Sequence, residues 1–205
     1  FETVQPSYQF IKALLKNEEG LHIDKDHFMT ISPDEGSMSR AIYLANVLGV
    51  DMGMYYKRLD YSRYVNGRHP IAAYEFLGPK IEGKDMILID DMISSGDTIL
   101  KIASLLKEKG AGKVYICSTF GFFTDGLEKF DDAYKKGYFD KLLTTNLVYQ
   151  APELLEKPYY ISCDMSKYIA LIIDTLNHDT SVSHLLNPVD RIKRCVTNYM
   201  SQYEK

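Results

Sequence analysis

MILIDDMISSGDTI, residues 86–99, decides how the rest of the chain reads. Met86 to Ile89 form a continuous apolar run after the turn-like Glu82-Gly83-Lys84, the pattern of a strand covered on both faces of a parallel sheet. Asp90 and Asp91 then break the run. The small, hydroxyl-rich Ser94-Ser95-Gly96-Asp97-Thr98 leads into ILKIASLLKEKG, where Ile99, Ile102, Ala103, Leu105 and Leu106 recur at helical spacing and predict a helix to about Gly110. The unit is strand, acidic pair, small loop, helix.

That order of parts has chemical content. Ligands of an open parallel sheet sit beyond the carboxyl ends of its strands, and a loop opening a helix offers backbone N–H groups and the positive end of the helix dipole to an anion. A phosphate suits the loop. Two carboxylates repel phosphate and call instead for sugar hydroxyls or an intervening magnesium ion. A phosphorylated sugar meets both demands. The alternative is that Asp90 and Asp91 only cap the helix and that Ser-Ser-Gly-Asp is an ordinary turn.

Further strands are predicted at 27–31, 51–56, 72–76, 85–89, 114–119 and 141–145, and helices at 7–19 and 37–49, so strands and helices alternate. This predicts an α/β fold with a mainly parallel sheet and right-handed crossovers. Residues 57–71, KRLDYSRYVNGRHPI, are too polar and basic for a buried element, and Asn66-Gly67 and His69-Pro70 predict an exposed, mobile loop. NPVDRIKRCVTNYMSQYE, near the end, places Val189, Ile192, Val196, Tyr199 and Tyr203 along one helical face that needs a docking partner.

A second motif lies upstream. ISPDEGSMSRA, residues 31–41, puts Asp34 and Glu35 in a turn after a strand, at the same sheet edge as Asp90 and Asp91 if both strands run parallel. Converging carboxylates point to a hard cation such as magnesium. The plainer reading is a solvated turn with Glu35 beside a helix N-terminus. Lys57 and Arg58 end the next strand, and Arg63, Arg68 and His69 follow in the loop, cations suited to neutralising a polyphosphate. Charge runs of this kind are also common in loops that do nothing but face solvent.

Composition bounds the rest. The 205 residues suffice for a sizeable core, no apolar stretch is long enough to span a bilayer, and the formal net charge of −4 argues against nucleic acid as the main partner. Cys117, Cys163 and Cys195 lack metal-ligand spacing and read as free thiols in a reducing compartment, the cytoplasm.

ISPDEGSMSRA resembles the SPDxGGxxRA segment of the ribose-phosphate pyrophosphokinases, or phosphoribosyl pyrophosphate synthetases, with Ser37 in place of the second glycine. KRL at 57–59 is similar to their Lys-Arg-Arg loop, ILIDDMISSGDT to their ribose-phosphate loop, LLTTNLV at 142–148 to a VVTNSI strand, and YYISCDMSKYIALIIDTLNHDTSVSHLL to their closing strand, helix and Ser-Val-Ser. The resemblance implies a type I phosphoribosyltransferase-like domain over 1–187, the second half of a synthetase, followed by a helical extension over 188–205. It implies transfer of the diphosphoryl group of ATP to the C1 hydroxyl of ribose 5-phosphate, with magnesium, in a homo-oligomer. Asp34 would belong to the metal site. Lys57, Arg58 and Arg63 would act on the transferring group; Asp90 and Asp91 would hold the ribose hydroxyls, and Ser94, Ser95, Gly96, Asp97 and Thr98 the 5-phosphate.

The departures are specific. Leu59 stands where the family has its third basic residue, and Ser94-Ser95-Gly96-Asp97-Thr98 looks closer to the loop of phosphoribosyltransferases, which consume the sugar diphosphate. Both that reading and a non-catalytic, synthetase-like regulatory subunit therefore stand as alternatives. No stretch resembles the family's first half, and Phe1 falls close to where the second half would begin, so the expectation is a truncated chain.

Overall fold

A computed structural model describes residues 4–64, 67 and 69–203. Helix α1 (Ser7–Asn17) leads to β1 (Phe28–Ser32), a 3-10 turn (Glu35–Ser37) and α2 (Met38–Leu48). Strands β2 (Asp51–Leu59), β3 (Ile71–Leu77) and β4 (Asp85–Ile93) follow, then α3 (Asp97–Glu108), β5 (Val114–Gly121), α4 (Glu128–Lys135) and β6 (Lys141–Thr145). The chain ends with α5 (Pro152–Leu155), β7 (Tyr160–Cys163), α6 (Ser166–Asn177), α7 (Ser183–Leu186) and α8 (Val189–Met200).

The seven strands form one sheet in the order β3-β2-β1-β4-β5-β6-β7, parallel except for β3, which pairs antiparallel with β2 at the edge. Strand periodicity divides the core. Met29, Ile31, Met86, Leu88, Val114 and Ile116 face Ile102, Leu106 and Phe130 of α3 and α4. Phe28, Ile87, Ile89, Tyr115 and Cys117 point the other way, onto α1, α2 and α8. Both faces are covered, so the middle strands read as unbroken apolar runs. Each such buried side chain contributes roughly 1.5–3 kcal/mol.

Three expectations change. The acidic pair does not end its strand: β4 continues to Ile93, because β5 keeps pairing beside it as far as Ile93 opposite Gly121, whereas the pairing with β1 stops at Leu88. Asp90 and Asp91 thus lie in a strand extension past the end of β1. The loop expected over 57–71 shrinks to 60–70, since Lys57, Arg58 and Leu59 continue β2 against Tyr74, Ala73 and Ile71 of β3. Polarity is no bar there, because an edge hairpin leaves one of its faces open. Helix α1 stops at Asn17, with Glu18 extended and its carboxylate accepting from Lys113 Nζ (2.8 Å) and the Tyr115 hydroxyl (3.2 Å). Asn66 and Arg68 lie outside the described residues.

The helix expected after residue 187 is α8. It docks on α1 through buried Ile192 and Tyr199. The Tyr199 hydroxyl accepts from Leu21 N (3.0 Å) and donates to Glu18 O (2.8 Å). The three cysteines are unpaired. Among the described residues, no helix is long and apolar enough to cross a membrane.

Candidate active site

Because β1 and β4 are parallel neighbours, the segments leaving their carboxyl ends lie side by side. A cavity of about 350 Å³ opens between them, lined by Asp34, Gly36, Ser37, Asp90, Asp91 and residues 92–99. The two motifs separated by about fifty residues of sequence therefore share one hollow.

Asp34 is the N-cap of the 3-10 turn. Its Oδ1 accepts from Gly36 N (3.1 Å) and Ser37 N (3.3 Å), while Oδ2 lies 3.7 Å from Lys57 Nζ. Capping thus occupies one carboxylate oxygen and leaves the other toward the cation. The Ser37 hydroxyl donates to Asp90 Oδ1 (2.5 Å), which also accepts from Asp91 N (2.8 Å). Burial pushes the Asp90 carboxyl up to about 6, with the neighbouring charge of Asp34 in the same direction and those two hydrogen bonds opposing. Arg40, in the first turn of α2, holds Asp91 Oδ2 at 3.2 Å.

The loop has its own supports. Gly96 takes φ +85°, in the left-handed region that favours glycine. A Cβ there would fall on the Phe130 ring. The amides of Ser95 and Gly96 make no hydrogen bond to protein among the described residues; Asp97 N donates to Ser95 Oγ (3.4 Å), and the following first-turn amides of α3, Thr98 and Ile99, add to the set. Residues after β5 bracket this loop: Phe122 N donates to Ile93 O (2.8 Å) and Thr124 N to Ser94 O (3.0 Å). Lys129 Nζ reaches Asp97 Oδ1 (2.8 Å) and Asp125 Oδ2 (3.0 Å). The Lys129 ammonium, together with the Ser95 hydroxyl, holds the Asp97 carboxyl below the usual range.

Of the residues singled out in the sequence, Asp34, Asp90, Asp91, Ser94, Ser95, Gly96, Asp97 and Thr98 line the cavity, and Lys57 stands beside it through Asp34. Arg58 does not join them. It faces the other way from Lys57, as strand alternation requires, and its Nε pairs with Glu75 Oε1 at 2.7 Å, an oxygen pair shared with the Tyr56 hydroxyl. Arg63 lies in the 60–70 connection, where its carbonyl accepts from His69 Nδ1 (2.7 Å). Ser37, Arg40, Thr124 and Lys129 were missed. Ser37 and Arg40 were visible as helix-opening residues at the same sheet edge; nothing in the local sequence ties Lys129 to a loop 32 residues earlier.

Sheet order, crossover pattern and the loop after β4 define a type I phosphoribosyltransferase-like domain. The chain belongs to the phosphoribosyl transferase domain family, whose model matches residues 2–157. Among curated relatives it is similar to the ribose-phosphate pyrophosphokinase of Thermococcus kodakarensis, 32% identical over 121 residues, 58% of this chain and 39% of that protein. The Vibrio parahaemolyticus enzyme of the same name is 28% identical over 79% of this chain and 49% of its own length. Ribose-phosphate pyrophosphokinase 5 of Schizosaccharomyces pombe is 33% identical over 67% and 37%. A solved phosphoribosylpyrophosphate synthetase from Mycobacterium smegmatis shares the fold, with TM-score 0.66 at 21% identity over 84% of this chain and 51% of that one. The chain spans about half, or less, of the length of these curated relatives.

Proposed function

We propose that the cavity between the two motifs binds ribose 5-phosphate and that the whole protein is a ribose-phosphate diphosphokinase. In that reaction the C1 oxygen of the sugar bonds to the β-phosphorus of ATP as the bond from that phosphorus to the AMP oxygen breaks. One observation carries the reading: an acidic pair and a loop with unpaired amides face the same hollow. The loop and the α3 N-terminus take the 5-phosphate. Asp90 and Asp91 accept from the ribose hydroxyls, held in place by Ser37 and Arg40. Lys57 supplies positive charge where the diphosphoryl group passes, with Arg63 in the adjoining connection as the further cation this reading assigns, while Arg58 stays paired with Glu75. Positioning and charge neutralisation carry this chemistry, with no covalent intermediate on the protein.

Magnesium fits the donor set in part. Among the described residues no group of three metal-binding side chains forms a cage. The second oxygens of Asp34 and Asp90 nevertheless suit an ion that keeps several waters and shares the substrate's phosphates. When bound, it supplies charge neutralisation for the polyphosphate. The same reading takes 1–187 as the catalytic-half domain and 188–205 as an addition to it, and places the protein in the cytoplasm as a homo-oligomer. Half-exposed Ile173 and Leu176 on α6 support the last point.

The test is a coupled assay of the full-length protein with ATP, magnesium and ribose 5-phosphate that follows AMP release. Turnover dependent on all three supports the proposal. Release of diphosphate from phosphoribosyl pyrophosphate with a nucleobase would favour a transferase, and binding without turnover a regulatory subunit.

A further inference from the structure

Beside α1, at the β7 edge of the sheet, lies a second cavity, of about 420 Å³, bordered by α1, β7, α6 and α8. Four cations line it: Lys12, Lys16, Lys167 and Arg191. Among the described residues none of them forms an ion pair with a carboxylate. The one acidic side chain in the lining, Asp164, is engaged with Asn146 Nδ2 (2.9 Å) and Ser166 N (2.8 Å).

Lys167 and Arg191 stand in the first turns of α6 and α8, where the helix dipole disfavours a cation, whereas Lys16, in the last turn of α1, stands where the dipole favours one. Tyr8, Lys12 and Lys16 follow one another at intervals of four along α1, so the two ammonium groups are neighbours on one stripe, a repulsive arrangement. Lys167 sits in the first turn of α6, at the positive end of its dipole, in a turn that contains no acidic residue. Arg191 comes from α8. Its Nη2 donates to Leu185 O (2.7 Å), its guanidinium packs 5.2 Å from the Tyr8 ring and 5.8 Å from that of Tyr168, and its Nε is buried without a partner. This arginine is fixed in place before any ligand arrives. Ala13, Ile161 and Leu171 supply an apolar wall beside the charges.

We infer that this cavity is a second ligand site, separate from the sugar-phosphate hollow, that takes a small organic phosphate with an apolar or aromatic body. A dianion would relieve the Lys12–Lys16 repulsion and the misplaced charge of Lys167 together, and the apolar wall would accept the rest of the molecule. Lys12 and Lys16 lie within the range the family model matches, whereas Lys167, Tyr168 and Arg191 lie beyond residue 157, where it ends.

Phenyl phosphate and inorganic phosphate serve as probes in titration calorimetry on the protein, on Lys12→Gln/Lys167→Gln, and on Ser94→Asp. Both lysines are exposed, so the double variant should keep its fold. Ser94→Asp puts a negative charge into the loop after β4 and silences the first site. In the Ser94→Asp background phenyl phosphate should still bind, more tightly than inorganic phosphate, and adding Lys12→Gln/Lys167→Gln should weaken it at least about tenfold. Equal affinity with and without the two lysines, or no residual binding in Ser94→Asp, would overturn the inference. Phosphate binding unaffected by Ser94→Asp and lost with the lysines would instead count against the first site alone.

Discussion

Gly96 and Asp90 show how single positions set up the site. At Gly96 a side chain meets both a left-handed backbone and the Phe130 ring, so Gly96→Ala should destabilise the fold by about 1–3 kcal/mol and misplace the amides around it. A urea melt superimposable on that of the unaltered protein would remove this constraint. Asp90 makes a pH-dependent prediction. Its folded-state value of about 6 exceeds its ordinary 3.8, so the folded state binds the proton more tightly. The stability this contributes is full at low pH and is lost as pH rises from about 4 to 6. Against Asp90→Asn, which does not titrate, the unaltered protein should therefore lose on the order of 1–2 kcal/mol between pH 4 and 7 in the absence of divalent cations, after allowance for solvent screening. Parallel pH profiles for the two proteins would contradict the burial assigned to this carboxylate.

Elements explain why the site has these neighbours. Besides its apolar contacts with α1, helix α8 is hydrogen-bonded to the segment after α1 through one phenol, so Tyr199→Phe leaves Leu21 N without its partner and should cost about 1–3 kcal/mol. No loss in melting temperature would mean that this hydrogen bond adds little. At the other end, Lys129 neutralises Asp97 inside a loop assigned to an anion. Lys129→Met should weaken ribose 5-phosphate binding several-fold, and Asp97→Asn in the same chain should restore it; independent, additive effects would break the assigned coupling. The strands of the middle sheet and the helix after Thr98 were legible because both faces of the sheet are covered and the helix has a single apolar stripe. The end of β4 was not. Asp90 to Ile93 look like loop residues, and only the length of β5 keeps them in a strand. The gathering of Asp34, Asp90 and Asp91 was readable from parallel strand order, whereas the split between Lys57 and Arg58 depends on β2 continuing past Tyr56. Lys129 and Arg40 act through space, across neighbours that local patterns do not encode.

For the molecule as a whole, the proposed sugar-phosphate site draws its residues from one α/β unit, while no adenine-binding part is recognisable in the sequence. Holding two reactants in line accounts for roughly 7–11 kcal/mol of such catalysis when fully realised. Residues 1–205 alone should therefore bind ribose 5-phosphate weakly and release little AMP, and saturable turnover with both substrates would show that a whole active site lies within them. The most direct test of the central claim is a titration of ribose 5-phosphate followed on the backbone amide resonances of this chain. The account predicts that Ser95, Gly96, Asp97, Thr98 and Ile99 shift together along one saturable isotherm, with Asp90 and Asp91 responding in parallel. Saturation with those amides unmoved and others shifting would contradict it.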